Sequence, residues 1–428
     1  MNYEETLQYL FSKLPMYSRI GAAAYRADLD NTIRLSEYIG NPERKFRSVH
    51  VAGTNGKGST SHMLAAIFQE AGYKTGLYTS PHLKDFRERI RVNGEMIRQD
   101  FVIDFVQRIR PLSEEIDPSF FEVTVAMAFD YFAQEQVDIA IVEVGLGGRL
   151  DSTNIILPEL SVITNIGYDH VNMLGDTLPK IAFEKAGIIK KGVPVVIGEH
   201  HQETAPVFEQ KAKEEEAPLV YADRQRFVAD FSYERHHLVA EVTTSPVSDD
   251  KVYYHLDLPG IYQTRNLVTV LEAISILHTR GWKLEHAAVH SALKQVKKLT
   301  GLHGRWELIH ERPDIILDVA HNEDGIRQLV RQIEVTDHEE LHIVLGMVND
   351  KDITKVLSLL PRAATYYFTR AQIPRALPEE QLAEKARAAG LKGESYPTVK
   401  EALHTAKAHA RPRDLILVCG SVFVVGEV

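Results

Sequence analysis

The residues of this chain that are most able to do chemistry lie in one glycine-rich run, Gly53–Thr60, which reads GTNGKGST. The run follows a short β-branched strand pattern, Ser48–Val51, and leads into an amphipathic helix pattern that ends at Gly72. A strand, a glycine-rich turn, a lysine, a hydroxyl and a helix form a nucleotide phosphate cradle. In such a cradle, backbone N–H groups and the lysine meet phosphate oxygens, and a Ser or Thr holds Mg²⁺. The pattern therefore predicts a triphosphate site rather than a glycine-rich turn with a surface lysine.

The run differs in two positions from the common P-loop, G-x-x-x-x-G-K-[ST]. Val51 replaces the first glycine, and Gly58 separates Lys57 from the hydroxyl residues. The predicted phosphate-binding residues are Gly53, Thr54, Asn55, Gly56, Lys57, Gly58, Ser59 and Thr60.

Other polar residues follow the next predicted strands, at the edge that lines the ligand crevice of an open parallel sheet. Ser80, in a TSPHL segment, is either a Mg²⁺ ligand or part of an ordinary Ser-Pro turn. Glu143 ends a buried strand before a glycine-rich loop, and a carboxylate beside phosphates is a natural Mg²⁺ ligand; an acidic cap is the alternative. His170 is a candidate second ligand, although Mg²⁺ prefers oxygen and a loop histidine is usually solvated.

Three segments nearer the C-terminus are ambiguous from the residues alone. The alternating charges around Lys185 are typical of a solvated helix face. Asp318 ends a buried apolar strand, and the nearby Asn322 is suited to cap a helix. Arg305 is either a bidentate phosphate ligand or an exposed side chain.

The composition restricts the class of protein. A chain of 428 residues predicts about two to three domains. The hydrophobic content of 44% and charged content of 25% are typical of a soluble globular protein. The net charge of -10 argues against a broad nucleic-acid surface, and no apolar run is long enough to predict a membrane span. The single cysteine, together with an N-terminus unlike a signal peptide, predicts a cytoplasmic protein.

Alternating strand and helix patterns predict an α/β fold. Buried parallel strands are predicted within 49–51, 74–79, 137–144, 160–166 and 193–197, and short antiparallel strands between 225 and 258. The alternation restarts after the linker-like segment Thr300–Arg305. We therefore predict a domain over 1–299, with a parallel sheet and a small antiparallel subdomain, and a smaller α/β domain over 300–428.

Together these motifs resemble those of the folylpolyglutamate synthases, including the bifunctional dihydrofolate/folylpolyglutamate synthases, in the Mur ligase superfamily. The matching segments occur in family order and are 53–60, 79–83, 88–94, 120–122, 143–154, 164–170, 174–190, 304–305, 318–322 and 419–421. Two minor departures are Ser152, where Ala is common, and Val319, where Gly is frequent. The resemblance implies a P-loop ATPase domain followed by a Rossmann-like domain.

The resemblance also implies roles that the residues alone leave open. It implies that Ser59, Ser80 and Glu143 hold one Mg²⁺, and that Glu143 and His170 hold a second. It implies that Lys185 is carbamylated, which turns a cation into an anionic oxygen donor. The residues implied to contact ATP or to lie at the catalytic cleft are Asn266, Arg305, Asp318 and His321. Those implied to bind a pterin-bearing substrate are Phe120, Phe121, Glu122, Leu150, Asp151 and Ser152, with the segment Tyr17–Ala24 nearby.

The implied activity is ATP-dependent ligation of L-glutamate to the carboxylate of tetrahydrofolates, and of dihydropteroate, through an acyl phosphate. The implied partners are these small molecules, without nucleic acid or membrane, and the implied state is a monomer. A muramyl-peptide-type ligase acting on another carboxylate is the nearest alternative, followed by a P-loop kinase and by a non-enzymatic nucleotide-binding protein. The TSPHL and FFE segments favour a folate substrate.

Overall fold

A computed structural model describes residues 1–16, 19, 21, 27–234, 236–245, 250–349 and 353–428. These residues divide into two compact units. Unit 2 comprises Leu258–Tyr262, His303–Val428 and residues 19 and 21, and unit 1 comprises the remainder. Apart from those two residues, the predicted substrate-binding segment Tyr17–Ala24 lies outside the described residues.

An eight-stranded sheet forms the centre of unit 1. Its strands are β1 (Arg47–Ala52), β2 (Thr75–Tyr78), β3 (Ile90–Val92), β4 (Glu95–Met96), β5 (Ile139–Glu143), β6 (Leu160–Ile163), β7 (Val195–Ile197) and β8 (Leu219–Tyr221). Their order is β4-β3-β2-β5-β1-β6-β7-β8, with β3 and β4 antiparallel and the other strands parallel. The sequence predicted five of these strands and missed three short ones, the inner strand β3 and the edge strands β4 and β8.

The strand order brings three loops to one edge of this sheet. Because β1 lies between β5 and β6, the loops that follow these three parallel strands emerge side by side at the carboxyl edge. Val51 is in register with Glu143, and Ala52 is in register with Ile163. The glycine-rich run, Glu143 and the turn after β6 are therefore neighbours by topology.

Twelve α-helices belong to the described part of unit 1. They are α1 (Tyr3–Lys13), α2 (Asp30–Tyr38), α3 (Lys57–Glu70), α4 (Gln99–Ile116), α5 (Phe120–Gln134), α6 (Val171–Leu174), α7 (Leu178–Ala186), α8 (Ala205–Glu214), α9 (Ala222–Gln225), α10 (Gln263–Thr279), α11 (His286–Leu293) and α12 (Val296–Thr300). Short 3₁₀ helices cover Pro42–Arg44, Phe86–Arg89 and Ser152–Ile155. The sequence pattern over 284–298 predicts one helix, whereas the structure divides this segment into α11 and α12.

Helix α5 is apolar on nearly all sides because most of its surface is buried in the core of unit 1. Phe105 of α4 and both Phe129 and Phe132 of α5 are fully buried in one hydrophobic cluster. A helix that is apolar all round is stable only where its whole surface is covered. The start of α5 is fixed by Ser119 and Glu122, whose side chains accept hydrogen bonds from each other's backbone N–H groups as a capping box.

A separate antiparallel sheet in unit 1 contains β9 (Phe227–Glu234), β10 (His237–Thr243) and β11 (Lys251–Leu256), with β10 in the centre. The sequence predicted short antiparallel strands in this region but did not identify β10. The alternating residues Leu238, Ala240 and Val242 are buried, which places one face of the central strand against the protein interior.

Unit 2 contains a six-stranded sheet with the order β12-β13-β17-β14-β15-β16. Its strands are β12 (Glu307–His310), β13 (Asp314–Leu317), β14 (Leu341–Leu345), β15 (Thr365–Phe368), β16 (Lys392–Ser395) and β17 (Leu415–Cys419). Only the edge strand β12 is antiparallel. The α-helices in the described part of unit 2 are α13 (Glu323–Glu334), α14 (Thr354–Leu359), α15 (Glu379–Ala388), α16 (Val399–His409) and α17 (Val422–Gly426).

These two sheets confirm the predicted α/β class. In unit 2 the apolar runs predict the four inner strands β13, β14, β15 and β17, but not the edge strands β12 and β16. Among the helices that the structure describes, none is long and apolar enough to cross a membrane.

Candidate active site

The glycine-rich run forms a tight loop between β1 and α3 that leaves no room for side chains at two glycines. Gly53 has a φ of 148°, and a Cβ there would lie 1.8 Å from Thr164 Oγ1. Gly56 has a φ of 83°, and its Cβ would lie 2.3 Å from Asn266 Oδ1. Both contacts are far inside van der Waals distance, so glycine is required at these positions for steric as well as conformational reasons.

The turn after β6 holds this loop by hydrogen bonds. The backbone N–H of Thr54 donates to the Asn165 carbonyl at 3.0 Å, and that of Asn55 donates to Asn165 Oδ1 at 2.9 Å. Thr164 Oγ1 donates to the Asn55 carbonyl at 2.5 Å. The Thr54 hydroxyl accepts from the Gly167 N–H at 2.9 Å. The sequence pointed to the segment 164–170 because of the candidate ligand His170. In the structure, the first residues of this segment support the glycine-rich loop at Gly53–Thr60.

The first turn of α10 approaches the loop from another direction. Gln263 Nε2 donates to Ser59 Oγ at 3.1 Å, and Asn266 Nδ2 donates to Gln263 Oε1 at 2.7 Å. Gln263 and Ser59 are both almost fully buried. Sequence reasoning missed Gln263, because its partner lies 204 positions away and no local pattern marks it.

Two lysines converge on one carbonyl of the loop. Lys57 Nζ donates to the carbonyls of Gly53 and Thr54 at 3.0 and 3.1 Å, and Lys185 Nζ donates to the same Gly53 carbonyl at 2.9 Å. Lys185 is only 4% exposed, so the interpretation of its helix face as solvated is wrong. Burial, and then the charge of Lys57, lower the pKa of Lys185 to about 7, so much of this lysine is an uncharged amine near neutral pH.

Glu143 and His170, the two metal ligands predicted after strands β5 and β6, lie in different surroundings. Glu143 is 4% exposed, and its Oε2 accepts from the backbone N–H of Ser80 at 3.3 Å. The contact joins the Ser-Pro turn to the end of β5. His170 has a φ of 50° and begins α6; its Nε2 lies 3.8 Å from Asp169 Oδ1, and its side chain is 25% exposed.

No group of three or more His, Cys, Asp and Glu side chains is arranged to hold a metal within the described residues. The donor set implied around the loop has a different composition, because it combines the hydroxyls of Ser59 and Ser80 with the Glu143 carboxylate. All three supply oxygen, which suits Mg²⁺.

Asp151 is bound into a buried polar chain. Its Oδ1 accepts from the N–H and hydroxyl of Thr153 at 3.0 and 2.5 Å, and its Oδ2 accepts from the Leu146 N–H at 2.8 Å. Thr153 Oγ1 lies 2.8 Å from Nε2 of the fully buried His50. Since the threonine proton is used on Asp151, His50 Nε2 is the donor in that contact. Burial raises the pKa of Asp151 and lowers that of His50 to about 3. These hydrogen bonds between Asp151, Thr153 and His50 hold the glycine-rich loop that starts at Gly145 in one conformation.

That glycine-rich loop contacts two other predicted site segments. A Cβ on Gly145 would lie 2.4 Å from Phe121 Cζ, and one on Gly148 would lie 3.0 Å from the Lys185 carbonyl. The loop therefore packs on both Phe121 and the helix that carries Lys185. The neighbouring Phe120 is 3% exposed, and Glu122 is the capping residue described above. The predicted residues Leu150 and Ser152 flank Asp151, and Ser152 is buried.

In unit 2 the predicted residues gather around Asp318, just after β13. Its Oδ2 accepts from Tyr262 Oη at 2.7 Å and from the Trp306 N–H at 2.9 Å, and its Oδ1 accepts from the Ala320 N–H at 2.8 Å. Burial raises the pKa of Asp318, and these hydrogen bonds and the charge of Arg305 oppose that shift. The geometry thus surrounds one carboxyl group with donors.

Two other residues of this segment have local backbone partners. His321 Nδ1 donates to the Val319 carbonyl at 2.9 Å. Asn322 caps α13 by accepting from the Gly325 N–H, which confirms the capping interpretation for that residue. Tyr262, like Gln263, is a site neighbour that sequence reasoning missed.

Comparison with known protein families gives two consecutive matches. The Mur ligase middle domain matches residues 51–274, and the glutamate ligase domain of Mur ligases matches residues 304–422. The first match covers the glycine-rich loop, both lysines and Gln263, and the second covers Asp318.

Among curated relatives, the chain is 34% identical over 408 residues to the dihydrofolate synthase/folylpolyglutamate synthase of Bacillus subtilis, with 92% of each chain covered. It is 33% identical over 434 residues to a probable bifunctional folylpolyglutamate synthase/dihydropteroate synthase of Haloferax volcanii. That match covers 100% of this chain but 50% of the relative, so the chain spans half the length of that protein.

Solved structures agree with these relatives. Escherichia coli FolC in complex with DHPP and ADP superposes with a TM-score of 0.84 at 31% identity, covering 100% of this chain and 96% of that chain. Mycobacterium tuberculosis folylpolyglutamate synthase complexed with ADP gives a TM-score of 0.87 at 29% identity, covering 99% and 96%.

The contact between Gly56 and Asn266 predicts a specific effect on nucleotide binding. Gly56→Ala forces a methyl group against Asn266 Oδ1, so we expect affinity for a fluorescent ADP analogue to fall about 10-fold or more. Gly72→Ala is the matched control, because Gly72 has a similar φ of 87° but its Cβ meets nothing within 4 Å. Equal affinities for the two variants would contradict a role of the close approach in nucleotide binding.

Proposed function

The chain belongs to the folylpolyglutamate synthase/dihydrofolate synthase family of Mur ligases, and on that premise we propose that it is an ATP-dependent ligase that joins L-glutamate to a folate carboxylate. We propose tetrahydrofolates as substrates and dihydropteroate as a second acceptor. The proposed partners are these small molecules, and we further propose that the enzyme acts as a monomer in the cytoplasm.

The observation that carries this proposal is the convergence of Lys57 and Lys185 on the Gly53 carbonyl, beside the buried Glu143 edge. Cationic groups and backbone N–H groups at a helix N-terminus are suited to bind a triphosphate. A phosphoryl transfer to a carboxylate needs positioning and charge neutralisation more than a protein nucleophile. The residues described around this loop supply these two functions.

The proposed reaction has two steps on bound substrates. An oxygen of the folate carboxylate attacks the γ-phosphorus of ATP, the bond to the β,γ-bridging oxygen breaks, and an acyl phosphate and ADP form. The amine of L-glutamate then attacks the acyl carbon, the bond to the phosphate oxygen breaks, and the amine loses a proton as inorganic phosphate leaves. Lys57 would offset the negative charge on the γ-phosphoryl group in the first step.

The oxygen donors described above fit Mg²⁺. We propose that Ser59, Ser80 and Glu143 hold one ion and that Glu143 and His170 contribute to a second. Bound Mg²⁺ would neutralise phosphate charge and orient the γ-phosphoryl group. Within the chain, the buried hydrogen bond from Gln263 fixes Ser59, and the Ser80 N–H contact fixes Glu143.

We propose that Lys185 works as a carbamate. Its amine would attack CO₂ and release one proton, which gives an N-carboxylate with two acceptor oxygens. The pKa of about 7 supports this proposal, because only the uncharged amine is nucleophilic. Its position on the Gly53 carbonyl would then bring a new anionic oxygen donor to the phosphate loop.

The remaining site residues are proposed from their motif positions. We propose that the phosphate-binding residues are the whole run Gly53–Thr60, with Asn266, Arg305 and Asp318 also contacting ATP and His321 taking part in catalysis. The proposed pterin-binding residues are Phe120, Phe121, Glu122, Leu150, Asp151 and Ser152. Packing of Gly145 on Phe121, and the fixed Asp151, support a rigid substrate subsite.

One assay tests the proposed function. The protein is incubated with ATP, Mg²⁺, L-glutamate and either dihydropteroate or tetrahydrofolate, and we expect ADP together with a product heavier by one glutamyl residue. Mass spectrometry and coupled ADP detection provide the measurement. ADP formation with neither pterin, but with another carboxylate, would instead support a related ligase of different specificity, and a phosphorylated alcohol product would support a kinase.

Lys57→Ala is expected to lower ligation at least about 100-fold, because it removes a charged donor from the developing γ-phosphoryl charge. Circular dichroism and thermal unfolding should match the unsubstituted protein, since the lysine is not fully buried and its hydrogen bonds at 3.0 and 3.1 Å go to carbonyls of its own loop. Lys191→Ala, at an exposed position, is the control. Full turnover by a folded Lys57→Ala protein would refute the loop assignment.

Lys185→Ala is expected to lower ligation about 100-fold, with partial recovery when a small carboxylate such as acetate is added. Lys180→Ala on the same helix is the control, because that side chain is 64% exposed. In CO₂-depleted enzyme, addition of bicarbonate should restore activity faster at pH 8 than at pH 6, since the lysine is protonated below its pKa of about 7. Undiminished activity of Lys185→Ala without additives would exclude the carbamate.

A further inference from the structure

Arg89 is a buried cation with no role in the site described so far. It ends the 3₁₀ helix Phe86–Arg89 and is only 8% exposed. Its Nε donates to His82 Nδ1 at 2.7 Å, and its Cζ lies 5.2 Å from the centre of the Phe120 ring. Among the residues that the structure describes, no carboxylate forms an ion pair with its guanidinium.

This environment is unfavourable for a positive charge. Burial lowers the pKa of Arg89. Because its Nε–H donates to His82 Nδ1, that ring nitrogen carries no proton, and the hydrogen-bond partner of the guanidinium is a neutral imidazole. A buried charge normally has a counter-charge or a full set of hydrogen bonds, because loss of hydration is costly. A buried guanidinium whose neighbours are the neutral side chains of His82, Phe120 and Tyr78 has therefore been kept for a reason other than stability.

The neighbours of Arg89 indicate which kind of ligand would supply a counter-charge for its guanidinium. Phe120, whose ring it faces, is adjacent to Phe121, which packs on the glycine-rich loop at Gly145. On another side, the Arg89 carbonyl accepts from the Thr79 N–H at 3.0 Å, immediately before Ser80. The charge of Glu143 is also close enough to favour the cation. Arg89 thus contacts both the proposed pterin-binding segment and the turn that carries a proposed metal ligand.

We propose that Arg89 recognises the acceptor carboxylate of the folate substrate. This proposal rests on the proposed function and deepens it by naming the group that selects an acid. The substrate carboxylate must approach ATP phosphates and Glu143, which are all anionic. A fixed cation between the aromatic segment and that edge offsets the repulsion and gives the guanidinium a counter-charge. His82 orients the guanidinium through its hydrogen bond.

The test compares an acid with its neutral isostere. Binding of dihydropteroate and of its carboxamide is measured by fluorescence in the presence of ADP and Mg²⁺, for the unsubstituted protein, Arg89→Met and Arg89→Lys. We expect Arg89→Met to weaken acid binding about 30-fold or more while changing carboxamide binding less than about 3-fold. Arg89→Lys keeps the charge and should retain part of the preference for the acid.

Arg87→Met is the matched control, because Arg87 lies in the same 3₁₀ helix but pairs with Asp85 at 2.7 Å and is more exposed. It should leave both affinities unchanged. Equal weakening of acid and carboxamide binding by Arg89→Met would show that Arg89 only supports the Ser80–His82 turn, and would overturn the proposal. If Arg89→Met does not fold, an Arg89→Lys protein that keeps part of the unsubstituted preference for the acid would support the proposal. One that keeps the full preference, or that binds both ligands equally, would overturn it.

Glutamate ligation by the unsubstituted protein separates this result from the proposed function. A protein that ligates glutamate to dihydropteroate but binds acid and carboxamide equally retains the function and loses the Arg89 assignment. If the protein neither binds dihydropteroate or tetrahydrofolate nor joins glutamate to either, both the proposed function and the Arg89 assignment are refuted.

Discussion

The close approach of the Gly53–Gly56 backbone to its neighbours is the constraint on which the site depends. The loop is held by the turn after β6 and by the first turn of α10, and both contacts fail if a Cβ is present at Gly53 or Gly56. Adjacent positions of β1, β5 and β6 in the sheet supply the turn and Glu143 at the same edge. The topology, the two glycines and the buried Gln263 bond to Ser59 therefore act together.

The same site contains two neighbouring lysines and two buried acids, whose charges and surroundings differ. Lys57 and Lys185 share one carbonyl, and burial together with the nearby charge of Lys57 lowers the pKa of Lys185 to about 7. Glu143 and Asp151 are buried acids within the same unit, and Asp151 accepts hydrogen bonds from donors of its own loop. Asp151 is thus suited to hold the shape of that loop, whereas the contact of Glu143 with the Ser80 N–H joins two different strand ends.

The sequence predicted the features that depend on local pattern. Buried strands and the loop at Gly53–Thr60 follow from runs of apolar residues and from glycine spacing, and both are present. Short edge strands such as β8 and β16 were missed because a strand paired on one side has little apolar signal. Gln263 and Arg89 were missed because their importance comes from partners brought together by the fold. The burial of Lys185 had a usable signal, since it lies four residues after the fully buried Ile181 and therefore on the same helix face.

The contacts of Gly53 and Gly56 also bear on how this loop can be transferred into another protein. The run GTNGKGST is not a self-sufficient module, because its conformation is shared with a threonine-bearing turn and with an asparagine on a distant helix. A graft of the run alone would lose the Asn165 and Thr164 bonds that shape it. The smallest transferable unit therefore consists of three discontinuous segments, the loop, the turn after β6 and the first turn of α10. A host protein would need all three together.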